Sequence, residues 1–328
     1  MFELKKFIDS YRKITILLPI RADGDAIGTA LGIYNILKAD RKQIEIVSVD
    51  SDLPLQFDFL PNFSKIKYKM SFEDSLVIVC GSSLDILGFD IKSRDILDIR
   101  VLAKLGNDGF SFALFGTKVA DSKEFCKMSI VEANYLSASQ VTFEIFKKEY
   151  IFGVDVATCF YTALVSGTQY FITNNVNKEV FDVASDMIAY GIDISEVSYN
   201  LNQRKSLSSL RILASSLDSL RLYLDGELSV MVVTDESIKR AGARYNDFVG
   251  IVDYGISLVT VKISILLIEF NGFIHVSIKS NKEIDISSLA IDGVGGGDKN
   301  TLEFEYKSEN IDEIIDILLT KIKEMELL

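Results

Sequence analysis

The chain has 328 residues, 48% hydrophobic and 25% charged, with a net charge of −12 and a pI near 4.7. This composition excludes a disordered chain, and the length calls for two domains rather than a single core. The acidic balance excludes an extended nucleic-acid footprint, which needs a basic face, yet leaves room for a small phosphorylated ligand held by local donors.

The opening residues Met1-Phe2-Glu3-Leu4-Lys5-Lys6 lead into charge rather than into an apolar signal core. Residues 14–18 then form an apolar run that reads as a buried strand. Ile27, Ala30, Leu31, Tyr34 and Leu37 recur at helical spacing after it. Further buried strands are predicted at 44–48 and 75–80, and this βαβ rhythm implies a parallel, doubly wound sheet. Residues 110–119 read as another strand, and 139–148 and 155–166 as helices.

A mostly helical passage covers 178–222, broken at Gly191-Ile192-Asp193, with a polar stretch from Asn200 to Ser206 as the interdomain linker. The pattern then changes. Asp225-Gly226 lies within Leu220–Thr234 and Asn271-Gly272 within Val261–Lys279, and both dipeptides favour type I′ hairpin turns between alternating apolar residues. Residues 235–241 and 246–256 read as helices. At the end, Asn310 and Glu313 form a capping pair ahead of Ile311, Ile314, Leu318, Ile322 and Met325 on one helical face. The expected division is a parallel doubly wound domain over 1–190, a helical linker over 191–212, and a smaller α/β domain with antiparallel hairpins over 213–328.

Cys80, Cys126 and Cys159 are too widely separated to form a metal-type pair and fit free thiols in a reducing compartment. The longest apolar region, 256–270, is interrupted by Lys262 and Glu269, so it does not span a membrane. A soluble cytoplasmic protein without a membrane partner is expected.

The chemistry-bearing motif is Arg21-Ala22-Asp23-Gly24-Asp25-Ala26-Ile27-Gly28, directly after the first strand. Carboxylates at Asp23 and Asp25 can face the crevice above a parallel sheet, where open α/β sheets bind ligands. Paired oxygen donors there suit Mg²⁺ or Mn²⁺. The same three residues are also ordinary turn and N-cap chemistry, with Asp25 capping the next helix. A second motif, Gly295-Gly296-Gly297-Asp298-Lys299-Asn300, either brings backbone amides close to an anion or is a mobile turn.

Together, the strand-end Asp-Gly-Asp, the glycine-rich motif and the hairpin-bearing second domain resemble the DHH phosphoesterases. The nearest branch is the nanoRNase and pAp phosphatase type with its DHH-associated C-terminal domain. The resemblance spans essentially the whole chain. It is clearest in 14–37 and 204–301, where Arg204, the Leu222-to-Val233 hairpin and Val276-Ser277-Ile278-Lys279-Ser280 also fit. It implies two metal ions held by Asp and His that activate a water against a phosphate ester. It further implies substrate contacts at Gly295, Gly296, Gly297, Lys299, Asn300, Arg204 and Lys279.

Transferred residue by residue, the resemblance keeps Asp23 and Asp25 and loses the other ligands. The preceding histidine falls on Pro19, and the third-strand aspartate on Cys80. The DHH triplet should follow the strand ending near Phe115, where the chain reads Gly116-Thr117-Lys118-Val119. A further aspartate falls near Gly167 in Gly167-Thr168-Gln169-Tyr170-Phe171, and the histidine closing the glycine motif is Asp298. The chain holds a single histidine, His275, in a period-2 strand pattern, so neither a His pair nor the glycine-motif histidine exists anywhere in it. Two aspartates alone leave at best a weak, solvent-rich Mn²⁺ or Mg²⁺ site.

Three readings stay open. In the first, the fold survives as a catalytically degenerate member that binds a small nucleotide or short oligonucleotide between its domains. In the second, a rebuilt metal site keeps phosphodiesterase or phosphatase activity of the nanoRNase, pAp or cyclic-dinucleotide type, with Asp108, Asp121 or Asp298 as added carboxylates. In the third, the chain is a structural partner, as a homodimer or beside an intact paralogue.

Overall fold

The computed structural model describes residues 4–19, 22–48, 53–72, 75–80, 111–116, 126–131, 135–173, 176–270, 272–290, 296–297, 299–308 and 310–328. The chain divides into two compact units, Met1–Arg204 and Lys205–Leu328. No helix among the described residues is long and apolar enough to cross a membrane.

The first unit is built on six strands: β1 (Lys13–Leu18), β2 (Gln43–Ser48), β3 (Ile66–Lys67), β4 (Leu76–Cys80), β5 (Ser111–Gly116) and β6 (Cys126–Val131). They lie in the order β3-β2-β1-β4-β5-β6 with every pairing parallel. The near-continuous apolar run Ile14, Ile16, Leu17 and Leu18 suits a strand covered on both faces. Helices α1 (Leu4–Asp9), α2 (Gly24–Ala39), α3 (Ala138–Phe146), α4 (Val154–Gly167), α5 (Lys178–Ile188) and α6 (Ile194–Ser198) complete it. The sequence suggests a one-faced α2, but the helix is buried almost all round, from Gly24 through Tyr34, because α4 packs along it. Phe143, Phe146 and Phe160, from α3 and α4, fill the adjoining core.

The second unit contains α7 (Leu207–Asp218), β7 (Arg221–Tyr223), β8 (Leu228–Val233), α8 (Asp235–Ala241), α9 (Val252–Ile256), β9 (Ile263–Phe270), β10 (Phe273–Ser280), β11 (Gly296–Gly297), β12 (Thr301–Tyr306) and α10 (Ile311–Glu324). Its sheet runs β11-β12-β10-β9-β8-β7, antiparallel except for the parallel β8–β9 pair. On one face α10 sets Ile314, Leu318 and Ile322 against Ile274, Val276 and Ile278. On the other, Ile212, Ile238 and Val252 of the shorter helices cover Met231, Leu266 and Ile268.

Several expected boundaries shift. The strand expected over 110–119 is described as Ser111–Gly116, and Thr117, Lys118 and Val119 lie outside the described residues. The helix expected over 246–256 is two pieces, a 3₁₀ turn at Tyr245–Phe248 and then α9, because Gly250 at φ +81° leaves the helical region between them. The Phe270↔Phe273 pairing keeps the expected two-residue connection. The Asp225-Gly226 hairpin instead closes over four residues, since Tyr223 pairs with Leu228 and both Leu224 and Asp225 take left-handed conformations. The stretch that reads as a polar linker starts inside the first unit. A π-helical turn at Tyr199–Gln203 buries Asn200 and Leu201, and the Asn200 amide donates to the Glu196 carbonyl at 2.9 Å.

Candidate functional site

The site forms where β1 ends. After Leu18 the chain passes through buried Pro19 and enters α2 at the Asp23-Gly24-Asp25 turn. Asp23 is the N-cap, and its Oδ1 accepts from the Ala26 amide at 2.8 Å. This is the capping chemistry that the sequence offers as the alternative to a metal site, carried by Asp23 rather than by Asp25.

Asp25 points inward and is 8% exposed. Its Oδ2 accepts from the Ala138 amide at 2.7 Å and its Oδ1 from the Ser139 amide at 3.1 Å, the first amides of α3. The Thr29 hydroxyl lies 3.4 Å from Oδ1. A carboxylate at a helix N-terminus completes the unsatisfied amides of the first turn and complements the helix dipole. Burial and the nearby negative charge of Asp23 nevertheless push the Asp25 carboxyl above the usual carboxylate range, against the pull of the two amides.

Close packing surrounds Gly24 and Gly167. A Cβ on Gly24 would meet the Ser166 hydroxyl and, at 2.5 Å, the ring of fully buried Phe57. A Cβ on Gly167 would lie 2.9 Å from the Ser137 Cβ and 3.1 Å from Asp25 Oδ2. Beyond Gly167 the backbone takes three successive left-handed residues, Gln169, Tyr170 and Phe171, at φ +47°, +62° and +63°. Such residues cost roughly 1–2 kcal/mol each. The run is tied down by the Thr168 hydroxyl, which accepts from the Phe171 amide at 3.2 Å, and by Tyr170, whose hydroxyl donates to the Leu201 carbonyl at 3.2 Å.

Sequence reasoning missed Phe57, Ser137, Ser139 and Ser166. Only Ser137 carries a local signal, as a serine ahead of an apolar helix, and its hydroxyl does accept from the Gln140 amide at 3.1 Å.

The remaining expected site residues divide between the two units. In the first, Arg204 is held bidentately by Asp58, with Nη2 to Oδ2 at 2.8 Å, and this pair lowers the Asp58 carboxyl. Cys80 ends β4. In the second, Lys279 pairs with Asp253 at 2.5 Å. The Asn300 side-chain amide donates to the Asn281 and Ile284 carbonyls at 2.6 and 2.9 Å, which makes it a brace of its own loop. Lys299 is exposed, and its carbonyl accepts from the Ile286 amide. Gly296 and Gly297 form β11 at the sheet edge. His275 sits on β10 with Nδ1 3.1 Å from Glu305 Oε1 and its ring against Tyr245 and Phe270. Lys118, Gly295, Asp298, Asp108 and Asp121 lie outside the described residues.

A parallel sheet with an Asp-Gly-Asp turn at the end of its first strand, followed by a mixed-sheet unit with a glycine edge strand, defines a two-unit α/β protein. Comparison with known proteins makes this specific. No family model matches the chain. Over 319 residues it is 26% identical to a bifunctional oligoribonuclease and PAP phosphatase NrnA of Thermus thermophilus, covering 95% of this chain and 89% of the relative. The protein of the same name from Bacillus subtilis is 22% identical, with 99% of each chain covered. Among solved structures, an exopolyphosphatase-related protein from Bacteroides fragilis superposes with a TM-score of 0.84 at 22% identity, over 98% of this chain and 96% of that one. Over nearly its whole length the chain is therefore similar to NrnA proteins and shares the fold of the exopolyphosphatase-related protein, which supports its resemblance to the DHH phosphoesterases.

The two-metal chemistry of the DHH phosphoesterases needs several carboxylate and imidazole ligands around a pair of ions. Among the described residues no group of three or more His, Cys, Asp or Glu stands together to hold a metal ion. Pro19 offers no donor, Gly167 has no side chain, and both Asp25 oxygens already face backbone amides. The residues described at this turn do not fit a dinuclear centre.

Proposed function

We propose that this chain is a non-hydrolytic member of the DHH phosphoesterase family that binds a small phosphorylated nucleotide or a short oligonucleotide. The observation that carries this reading is the engagement of Asp25. A carboxylate that accepts from the Ala138 and Ser139 amides in a buried setting is poorly placed to give both oxygens to metal ions. The single histidine of the chain adds to this, since family chemistry needs more imidazole than one strand residue paired with Glu305 supplies. Binding is supported by β11: among the described residues it is an edge strand of two glycines, where an anion can come close to the backbone. Lys299 supplies an exposed positive charge next to that motif.

The second reading, an active phosphodiesterase or phosphatase with a rebuilt site, is favoured by one observation. The relatives matched over nearly the full length carry oligoribonuclease and PAP phosphatase in their names.

The test is Mn²⁺-dependent hydrolysis of pAp, a dinucleotide and a cyclic dinucleotide, alongside calorimetric binding of the same compounds. Binding without turnover is the expected outcome. Turnover that disappears in Asp23→Asn would establish the second reading. Neither binding nor turnover would leave the structural-partner reading.

A further inference from the structure

We infer that Asp25 is the anchor carboxyl of a buried staple that joins helices α2, α3 and α4, and that this staple occupies the position where the DHH phosphoesterases carry a metal centre. Four contacts within the first unit point to it. The carboxylate extends from the first turn of α2 to the first two amides of α3, at 2.7 and 3.1 Å, across more than a hundred residues of sequence. Gly167, the last residue of α4, lies directly against it, with space for a Cβ only at 3.1 Å from Oδ2. The neighbouring Ser137 and Ser139 hydroxyls are buried and bonded to each other at 2.8 Å. Phe57 and Ser166 close over Gly24 on the other.

The carboxyl group is therefore bound internally, in the place an external anion takes at a helix N-terminus, except that it belongs to the same chain. The position where the family resemblance expects a further aspartate, Gly167, cannot take any side chain without displacing Asp25 or Ser137. The ligand set is thus not merely shortened. At Gly167 its space is filled, and restoring one aspartate by Gly167→Asp would break the staple rather than rebuild a site.

The inference is separable from the proposed function, because a chain that hydrolyses through other residues could still use Asp25 in this way. It is tested on the full chain by thermal unfolding in EDTA and in excess Mn²⁺, together with hydrogen exchange resolved at the Ala138 and Ser139 amides. Asp25→Ala is expected to lower the unfolding midpoint by roughly 5–10 °C in both solutions, since it leaves two buried amides without an acceptor. Both amides should exchange slowly in the metal-free wild type and at the same rate with Mn²⁺ present. Gly167→Asp should lower the midpoint without creating an Mn²⁺-dependent rise.

Three results would overturn the inference: rapid exchange of both amides in the metal-free wild type, an Mn²⁺-induced rise in the wild-type midpoint that Asp25→Ala abolishes, or an Asp25→Ala midpoint equal to wild type in EDTA. The exchange measurement uses the wild type alone, so it decides the matter even if Asp25→Ala fails to fold.

Discussion

Two buried carboxylates in the first unit show how differently one sheet treats its two ends. Glu45, on β2 opposite Thr15 of β1, is 2% exposed and fully surrounded by donors. It accepts from the Ser71 and Phe72 amides and the Thr15 hydroxyl, each at 3.1 Å, and Lys67 Nζ stands 3.4 Å away. Asp25, beyond the other end of β1, has two amides, the Ser139 side chain and a distant hydroxyl from Thr29, no ion pair among the described residues, and Asp23 as a negative neighbour. A buried charge is tolerated when it is paired and saturated with hydrogen bonds. Glu45 meets that condition and reads as scaffold. Asp25 meets it only in part, as expected at the crevice end of a doubly wound sheet, where such sheets bind ligands.

The contrast can be broken most forcefully at Glu45. Glu45→Ala would leave the Ser71 and Phe72 amides and the Thr15 hydroxyl without their acceptor. The expected loss is about 3 kcal/mol of unfolding free energy in urea titrations. A loss below about 1 kcal/mol would mean that the 71–72 turn is held by other contacts.

At Asp25 the contrast sharpens through pH. The folded carboxyl titrates above its unfolded value, so between those two values the native state binds more protons than the unfolded chain, and stability at this locus falls as pH rises. Wild type should therefore be most stable relative to Asp25→Asn near pH 4. That advantage should shrink by on the order of 1–2 kcal/mol as pH climbs toward neutrality. Parallel pH profiles for the two proteins would show that Asp25 is not under-compensated.

The smallest effect belongs to the half-exposed Arg204–Asp58 pair. Here the sign reverses. The guanidinium lowers the Asp58 carboxyl, so its contribution is present above the unfolded carboxylate value and is lost as acid protonates Asp58. Arg204→Ala should cost less than about 1 kcal/mol at pH 7, and nothing measurable once Asp58 is protonated. A larger cost would make Arg204 a structural tie at the end of the first unit.

The elements with strong periodicity were legible before any coordinates. The runs at 14–18, 44–48 and 75–80 recur as β1, β2 and β4 because a strand covered on both faces must be apolar throughout. The last helix follows from Asn310 and the spacing of Ile314, Leu318 and Ile322, all three of which are buried. The break at Gly250 was harder to see, since glycine both tolerates a helix and ends one, and only its φ decides which.

The site was legible in composition and opaque in contact. Asp23 and Asp25 stand out because two carboxylates follow a buried strand, and counting histidines alone removes the triplet that names the family. Nothing near Asp25 in sequence points to Ala138 and Ser139, and nothing in Leu55-Gln56-Phe57 shows that its ring covers Gly24. Periodicity and capping patterns report on neighbours within a turn or two, because those residues share one backbone segment. By itself the sequence determined a two-part α/β chain that resembles the DHH phosphoesterases, with other residues at most of the expected ligand positions. Only the tertiary structure decided what the surviving aspartates do. A carboxylate binds whichever donors the fold brings within 3 Å, and that proximity is set by how distant helices pack.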